Sequence, residues 1–326
     1  MPRFHHFLVP FLTLALSVHA NPAPLKIQNG AKIAFLGDSI TAQGWGSSGG
    51  YVRLVIAGLA AENVAVTPIP AGISGNTSRD MLARLDHDVL SKSPDWMTLS
   101  CGVNDVWHGG NGGVPLEEYK TKITSIVDQA QAKGIKVMIM TSTCINEDDN
   151  ANNQKLVAYN DFLRQLAKDK NCPVADESAL FLDALKANPP KPGTKLLTQD
   201  GVHPGPRGHM LMARGILQAF GAPEADFPKI EASWGAIPGG ARVAAGITVM
   251  LSSDLTLAEY QALEKIAAGQ HTNVNGLTNL YSLNASREVY DAHAKDTSPD
   301  FDKIRMEIQQ RFNADLNAAL LPPAGK

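Results

Sequence analysis

Four short stretches of this sequence hold residues that could do chemistry together. Gly37-Asp38-Ser39 closes a short apolar run, Ile33 to Leu36, and offers one hydroxyl. Ser74-Gly75-Asn76 lies in a glycine-rich loop, Ala71 to Ser78. Gly102-Val103-Asn104-Asp105 follows Pro94 to Ser100, and Asp200-Gly201-Val202-His203 precedes an amphipathic segment. A serine hydroxyl is a weak nucleophile until a histidine takes its proton, and that histidine needs an acceptor to fix its tautomer. A developing oxyanion needs preorganised donors, each worth on the order of 10²–10³ in rate. An asparagine amide and a glycine N–H suit that task, so these residue types fit the hydrolysis of an ester. Each also has a plainer reading. Gly-Asp-Ser and Asn104 could be turn chemistry, and Asp200 with His203 could cap a helix ahead of Pro204.

The hydrophobic pattern supplies elements to carry these stretches. Ile33 to Leu36 reads as a buried strand, and Val64 to Ile69, Pro94 to Ser100, Ile135 to Met140 and Pro173 to Ala175 as four more. Helical spacing marks Tyr51 to Glu62, a segment from about Ser78 through Val89, Leu116 to Lys133 with its stop at Gly134, Asn153 to Lys170, Ala179 to Ala187 and Arg207 to Phe220. Strands alternating with helices predict a doubly wound, three-layer α/β/α sandwich around a five-stranded parallel sheet. Ligands bind beyond the carboxyl ends of such strands. That is where the first three stretches fall, while Asp200 and His203 enter from the last loop before the final helix. Residues 221–252, rich in Gly, Ala and Pro, read as a wrapping segment or linker. Two helices follow, Leu255 to Ala268 started by Ser253-Asp254, and Phe301 to Leu320. The expected division is 1–20 as a leader, 21–222 as a catalytic domain and 223–326 as a linker with a mainly helical extension.

In this chain order the four stretches resemble the blocks of the SGNH (GDSL) hydrolase superfamily, over about residues 31–220. The resemblance implies a flavodoxin-like sheet, Ser39 as nucleophile, His203 as general base and Asp200 as the acid that orients it. It further implies an oxyanion hole made by the Ser39 N–H, the Gly75 N–H and the Asn104 side chain, with Gly72 a second candidate for the glycine. No metal or organic cofactor is implied. The superfamily includes many exported carbohydrate acetylesterases, and no apolar lid insertion interrupts the catalytic segment. The expected substrate is therefore a short-chain ester, acetyl above all, on a carbohydrate. A lysophospholipase or thioesterase, or a polysaccharide O-acetyltransferase or binding module, would use the same cleft. Asp38, Trp45, Tyr51, Trp107 and His108 lie close to these blocks and are candidates for the substrate pocket, with core packing the alternative for the aromatic residues and His108.

The remaining features narrow the setting. Of 326 residues 19% are charged, and the net charge of −3 comes with no basic block. Nucleic acid and anionic membrane are therefore not expected partners; a small molecule or neutral polymer is. Arg3, His5 and His6 precede an apolar run from Phe7 to Val18, and Val18-His19-Ala20 supplies small residues for cleavage, which predicts export. That run is too short to span a bilayer, which takes about 20 apolar residues. Cys101, Cys144 and Cys172 are odd in number; a Cys101–Cys144 bridge is conceivable, and buried thiols are the alternative. Asp86-His87-Asp88 is expected on a solvent-facing helix without a metal. His209 is expected to be structural, and Glu147-Asp148-Asp149 a solvated loop.

Overall fold

A computed structural model describes residues 25–107, 113–191, 193–245, 251–293 and 300–321. The leader at 1–20 and His108 lie outside the described residues.

Strand β1 (Lys32–Gly37) is covered on both faces, and Ile33, Ala34, Phe35 and Leu36 are all fully buried. Each large apolar side chain buried in this way contributes about 1.5–3 kcal/mol relative to exposure. β1 pairs in parallel with β2 (Thr67–Gly72) on one side and β3 (Trp96–Ser100) on the other. β3 pairs with β4 (Lys136–Met140), and β4 with the short β5 (Val174–Ala175). The sheet order is β2-β1-β3-β4-β5. The chain thus leaves β1 toward one edge and returns to its other side at β3. This reversal leaves a crevice beyond the carboxyl ends of β1 and β3, the usual ligand site of doubly wound sheets.

The second strand starts three residues later than the pattern suggested. Pro68 and Pro70 lie inside it, which is tolerable because β2 is an edge strand whose outward N–H positions need no partner. Val64 and Ala65 instead bond back to Leu59 O and Asn29 Oδ1 as the connection from the preceding helix.

Helices α1 (Ser39–Gly46) and α4 (Val103–Trp107) are short and follow β1 and β3 directly. One face of the sheet carries α2 (Tyr51–Ala61) and α8 (Pro206–Phe220), with Phe220 edge-on to Trp96 of β3. The other carries α3 (Ser78–Asp88), α5 (Leu116–Ala132) and α6 (Ala151–Asp169). Helix α7 (Glu177–Ala187) packs beside α8.

Beyond residue 220 the segment expected as a linker holds α9 (Phe227–Gly235) and an antiparallel pair, β6 (Ala241–Ala245) with β7 (Leu251–Leu255). Trp234 of α9 is buried, and its indole N–H donates to Leu54 O at 2.8 Å. Ser253 and Asp254 belong to β7, so they do not start the next helix. Helix α10 (Leu257–Gly269) is started by Thr256 and Glu259, which satisfy each other's backbone N–H groups as a capping box. Helix α11 (Val274–Ala292) was not foreseen, because its faces are mixed, with Thr278 and Ser282 buried while Leu280, Leu283 and Tyr290 are exposed; it packs on α12 (Phe301–Leu320). A Cβ on Gly49, in the loop after α1, would lie 1.7 Å from Gly240 O, so this C-terminal part packs tightly against that loop.

Candidate active site

The end of β1 dictates the first part of the site. A Cβ on Gly37 would lie 1.9 Å from Thr41 Oγ1, so only glycine lets the chain turn into α1 here. Asp38 then caps that helix, its Oδ1 accepting from the Ile40 N–H at 2.9 Å. Ser39 follows as the first helical residue and is half-exposed. Donors of a first helical turn lack intrahelical partners, and the Ser39 N–H makes no hydrogen bond among the described residues.

The second loop is held against the first. Gly72 packs on α1, where a Cβ would sit 2.4 Å from Ala42 N. Gly75 instead has φ +79° and open space around it. The two glycines therefore answer different demands, close packing for Gly72 and a left-handed turn for Gly75. Arg84 ties the loops together: its guanidinium donates to Asn76 Oδ1 at 2.6 Å, Gly37 O at 2.8 Å and Asp88 Oδ2 at 2.7 Å.

The third loop is fixed by burial. Asn104 donates its amide to Asn76 O at 3.0 Å and lies 3.5 Å from Asp38 Oδ2. Asp105 is fully buried and accepts from the Ser78 N–H at 3.0 Å, the Ser78 hydroxyl at 2.6 Å and the Cys101 thiol at 3.4 Å. Burial pushes the Asp105 carboxyl above its ordinary range, against those hydrogen bonds. Burial likewise pushes Asp38 up to about 6; the Asp105 charge adds to this, while the Ile40 N–H and His203 oppose it.

The last loop is a small pinched hairpin. Thr198 bridges Pro204, and the Gln199 N–H donates to His203 O at 2.8 Å. Gly201, at φ +103°, lets the turn pass Asn146, whose N–H donates to Gly201 O at 2.6 Å. Asp200 Oδ1 accepts from the Val202 and His203 N–H groups at 3.0 and 2.9 Å. Its Oδ2 lies 2.7 Å from His203 Nδ1, and His203 Nε2 lies 2.8 Å from Ser39 Oγ. Partial burial works to raise the Asp200 carboxyl, but the His203 side chain and the two backbone donors outweigh it and hold it below its usual range. An ionised Asp200 fixes the imidazole proton on Nδ1 and leaves Nε2 free to accept from the serine hydroxyl.

The structure therefore brings Ser39, Asp200 and His203 into one hydrogen-bonded line, with Gly75 and Asn104 on the neighbouring loops. Trp107 stands 43% exposed on α4, three residues past Asn104. Trp45 is half-buried, with the Arg53 guanidinium 3.5 Å over its ring. Tyr51 does not line a pocket: it is fully buried, its hydroxyl 2.8 Å from Thr41 Oγ1. His209 is also buried; its Nδ1 accepts from the Tyr51 N–H at 3.3 Å, and burial lowers it to about 4, so it stays neutral. His87 is exposed, and Asp88 already holds Arg84. Among the described residues no group of three His, Cys, Asp or Glu side chains could hold a metal. All three cysteines are free thiols, so the Cys101–Cys144 bridge is not formed.

Two positioning residues escaped the sequence reading. Glu147 is no solvated loop residue: its carboxylate accepts from the N–H groups of Leu196, Leu197 and Thr198 at 2.5, 2.9 and 2.6 Å and from the Thr198 hydroxyl at 2.6 Å. It anchors the chain leading into Asp200. Arg84 was hidden on the polar side of an amphipathic helix. No local pattern reveals what either residue ties together, because the contacts that join separate loops, Arg84 to Gly37 O and Glu147 to the 196–198 N–H groups, span 47 or more residues of chain.

Residues 35–211 match the GDSL-like lipase/acylhydrolase family. The chain belongs to this family. It is a carboxylic ester hydrolase with the five-stranded SGNH fold. An acetylxylan esterase of Geobacillus stearothermophilus is 34% identical over 217 residues, 60% of this chain and 97% of that protein. Esterase TesA of Pseudomonas aeruginosa is 33% identical over 106 residues, 32% of this chain and 51% of that protein. The crystal structure of the acetylxylan esterase Axe2 from G. stearothermophilus aligns with a TM-score of 0.56 at 31% identity, covering 61% of this chain and 98% of that one. LAE5, an alpha/beta hydrolase enzyme from the metagenome of Lake Arreo, aligns at 0.55 and 28% identity, with the same coverage. Solved catalytic mutants of Axe2 replace a serine, an aspartate and a histidine by alanine, the last two three positions apart.

Proposed function

We propose that this protein is an exported serine esterase that removes short acyl groups, acetyl above all, from a carbohydrate. The observation that carries the reading is the line of hydrogen bonds from Asp200 through His203 to Ser39. In this reading Ser39 Oγ attacks the ester carbonyl while His203 Nε2 takes its proton. The Ser39 N–H, the Gly75 N–H and the Asn104 amide receive the oxyanion. His203 then protonates the departing sugar hydroxyl, leaving an acyl-serine. Water, deprotonated by the same nitrogen, attacks that acyl group and releases the carboxylic acid and free Ser39. Asp200 stabilises the imidazolium at both stages.

The acetyl and carbohydrate parts of the reading draw on the acetylxylan esterase, whose aspartate and histidine share the three-residue spacing of Asp200 and His203. Export draws on the leader pattern of residues 1–20. N-terminal sequencing of the mature protein should begin just after Ala20.

The test is acetate release from p-nitrophenyl acetate and from acetylated xylo-oligosaccharides, with Ser39→Ala as control. A fall of on the order of 10⁴-fold or more is expected for Ser39→Ala on both substrates. Equal rates would remove Ser39 as nucleophile. Faster release of palmitate from a lipid than of acetate from a sugar would replace the substrate class.

A further inference from the structure

The C-terminal helices do more than cover the sheet. A cleft of about 560 Å³ opens where the loop carrying Asp200 and His203 meets α10 and the start of α11. That size lies within the roughly 300–1,000 Å³ typical of small-molecule sites. One wall includes Thr198 and Gln199, which immediately precede Asp200, and Gly205, two residues after His203. The opposite wall is built entirely from residues beyond 220. A ligand lying in the cleft is thus within one or two residues of chain from the acid–base pair.

The chemistry of the walls points to a neutral, hydroxyl-rich ligand. Arg207 and Glu264 pair with each other across the junction, so their charges cancel, which leaves exposed Lys195 as the remaining charged side chain of the lining. The hydroxyls of Tyr260 and Thr272 and the side-chain amide of Asn275 make no hydrogen bond among the described residues. Burial pushes the Tyr260 phenol up to about 12, so it remains a donor at working pH. An amphipathic ring beside uncommitted hydroxyl and amide groups recognises sugar: it gives an apolar face to C–H groups and paired donors and acceptors to hydroxyls. We propose that this cleft is a glycan subsite, binding unesterified sugar residues next to the one whose ester reaches Ser39. The inference rests on the carbohydrate-ester reading above, and it makes the helical extension a specificity element.

The test uses the full chain carrying Ser39→Ala, titrated calorimetrically with xylobiose and xylohexaose. Tighter binding of the longer sugar is expected, and the added changes Tyr260→Phe, Thr272→Ala and Asn275→Ala should weaken it by about tenfold, as lost neutral hydrogen bonds would. Tyr260→Phe alone, which removes one oxygen atom, should give a smaller loss in the same direction and guards against misfolding of the multiple variant. In the catalytically intact background, kcat/KM on acetylated xylohexaose should fall relative to that on p-nitrophenyl acetate, through KM. Unchanged affinity in the variants, or no binding of either sugar, would overturn the proposal. Binding that collapses with added salt would also overturn it, since it would show exposed Lys195 gripping an anion. Absence of carbohydrate-ester hydrolysis with sugar binding intact would remove the function reading and leave the subsite. Hydrolysis with no length dependence would do the reverse.

Discussion

The two halves of the proposed site are built in opposite ways. The nucleophile half, the loops after β1, β2 and β3, is interior: Asp38, Asn104 and Asp105 are all under a tenth exposed. Buried carboxylates and Arg84 tie its three loops to one another. The acid–base half is peripheral, with the Asp200 side chain 55% exposed and that of His203 26%. Glu147, the Asn146 N–H on Gly201 O and a few backbone bonds across the base of the loop hold it. Burial on one side fixes geometry at a cost in electrostatics. On the other side geometry depends on a few hydrogen bonds, and the carboxylate stays ionised because solvent and backbone donors reach it. The nucleophile half should therefore couple activity to stability, whereas the acid–base half should lose activity alone.

The largest effect is expected at the acid–base pair. Asp200→Asn keeps the shape but loses the charge that fixes the His203 tautomer, and kcat on p-nitrophenyl acetate should fall about 10⁴-fold. The melting temperature at neutral pH should fall only slightly, because the side chain is about half exposed and solvent screens what its charge contributes. A loss below tenfold would show that another group orients His203.

Next comes the anchor of that loop. Glu147→Ala frees three N–H groups and should let the loop shift by a fraction of an ångström or more; displacements near 1 Å can cost about 10²-fold in rate. Glu147→Gln, which keeps one acceptor oxygen, should recover part of the loss. Amide hydrogen exchange over 196–203 should rise in parallel with the fall in kcat. Unchanged exchange with reduced activity would mean that Glu147 acts otherwise.

Arg84→Met tests the nucleophile half. It strands Gly37 O, Asn76 Oδ1 and Asp88, and an unsatisfied buried partner costs about 1–3 kcal/mol. A clear drop in melting temperature should accompany a loss of about tenfold in kcat. If Glu147→Ala lowered the melting temperature as much as Arg84→Met, the contrast between the halves would fail.

The same contrast governs what the sequence revealed. The sheet was legible because β1, β3 and β4 are short, mostly apolar stretches between helical periods, the mark of strands buried on both faces. β2 was misplaced because its two prolines look like breakers unless its edge position is known. Ser39 and Asn104 stood out as residue types at strand ends, and Asp200 with His203 as a pair three residues apart just before the last helix of the sheet domain. Their supports were not: Arg84 and Glu147 earn their role by reaching across 47 to 51 residues of chain to backbone groups, which leave no trace in side-chain pattern. The extension was the least legible part, since α11 buries Thr278 and Ser282 and exposes Leu280 and Leu283, which blurs its helical period.

The effect with the least bearing on activity separates the halves by pH. In the folded protein Asp38 titrates near 6 rather than its ordinary 3.8, first because it is buried. Below about pH 4 the carboxyl is protonated in both folded and unfolded chains. Between that point and about 6 the unfolded chain releases a proton that the folded one keeps, so stability falls as pH rises, by up to about 3 kcal/mol. Asp200 has the opposite slope: its carboxyl is depressed, so its contribution is present above the ordinary carboxylate range and is lost as pH falls through its folded value. Asp38→Asn retains a carbonyl oxygen for the Ile40 N–H and has no proton to release. Its melting temperature relative to wild type should therefore climb between pH 4 and pH 7 and level off above, whatever its absolute value. Asp200→Asn should show the reverse trend at the acid end. A flat difference for Asp38→Asn would mean that the buried carboxylate is solvated or paired at no net cost, and that the nucleophile half carries no electrostatic penalty for its rigidity.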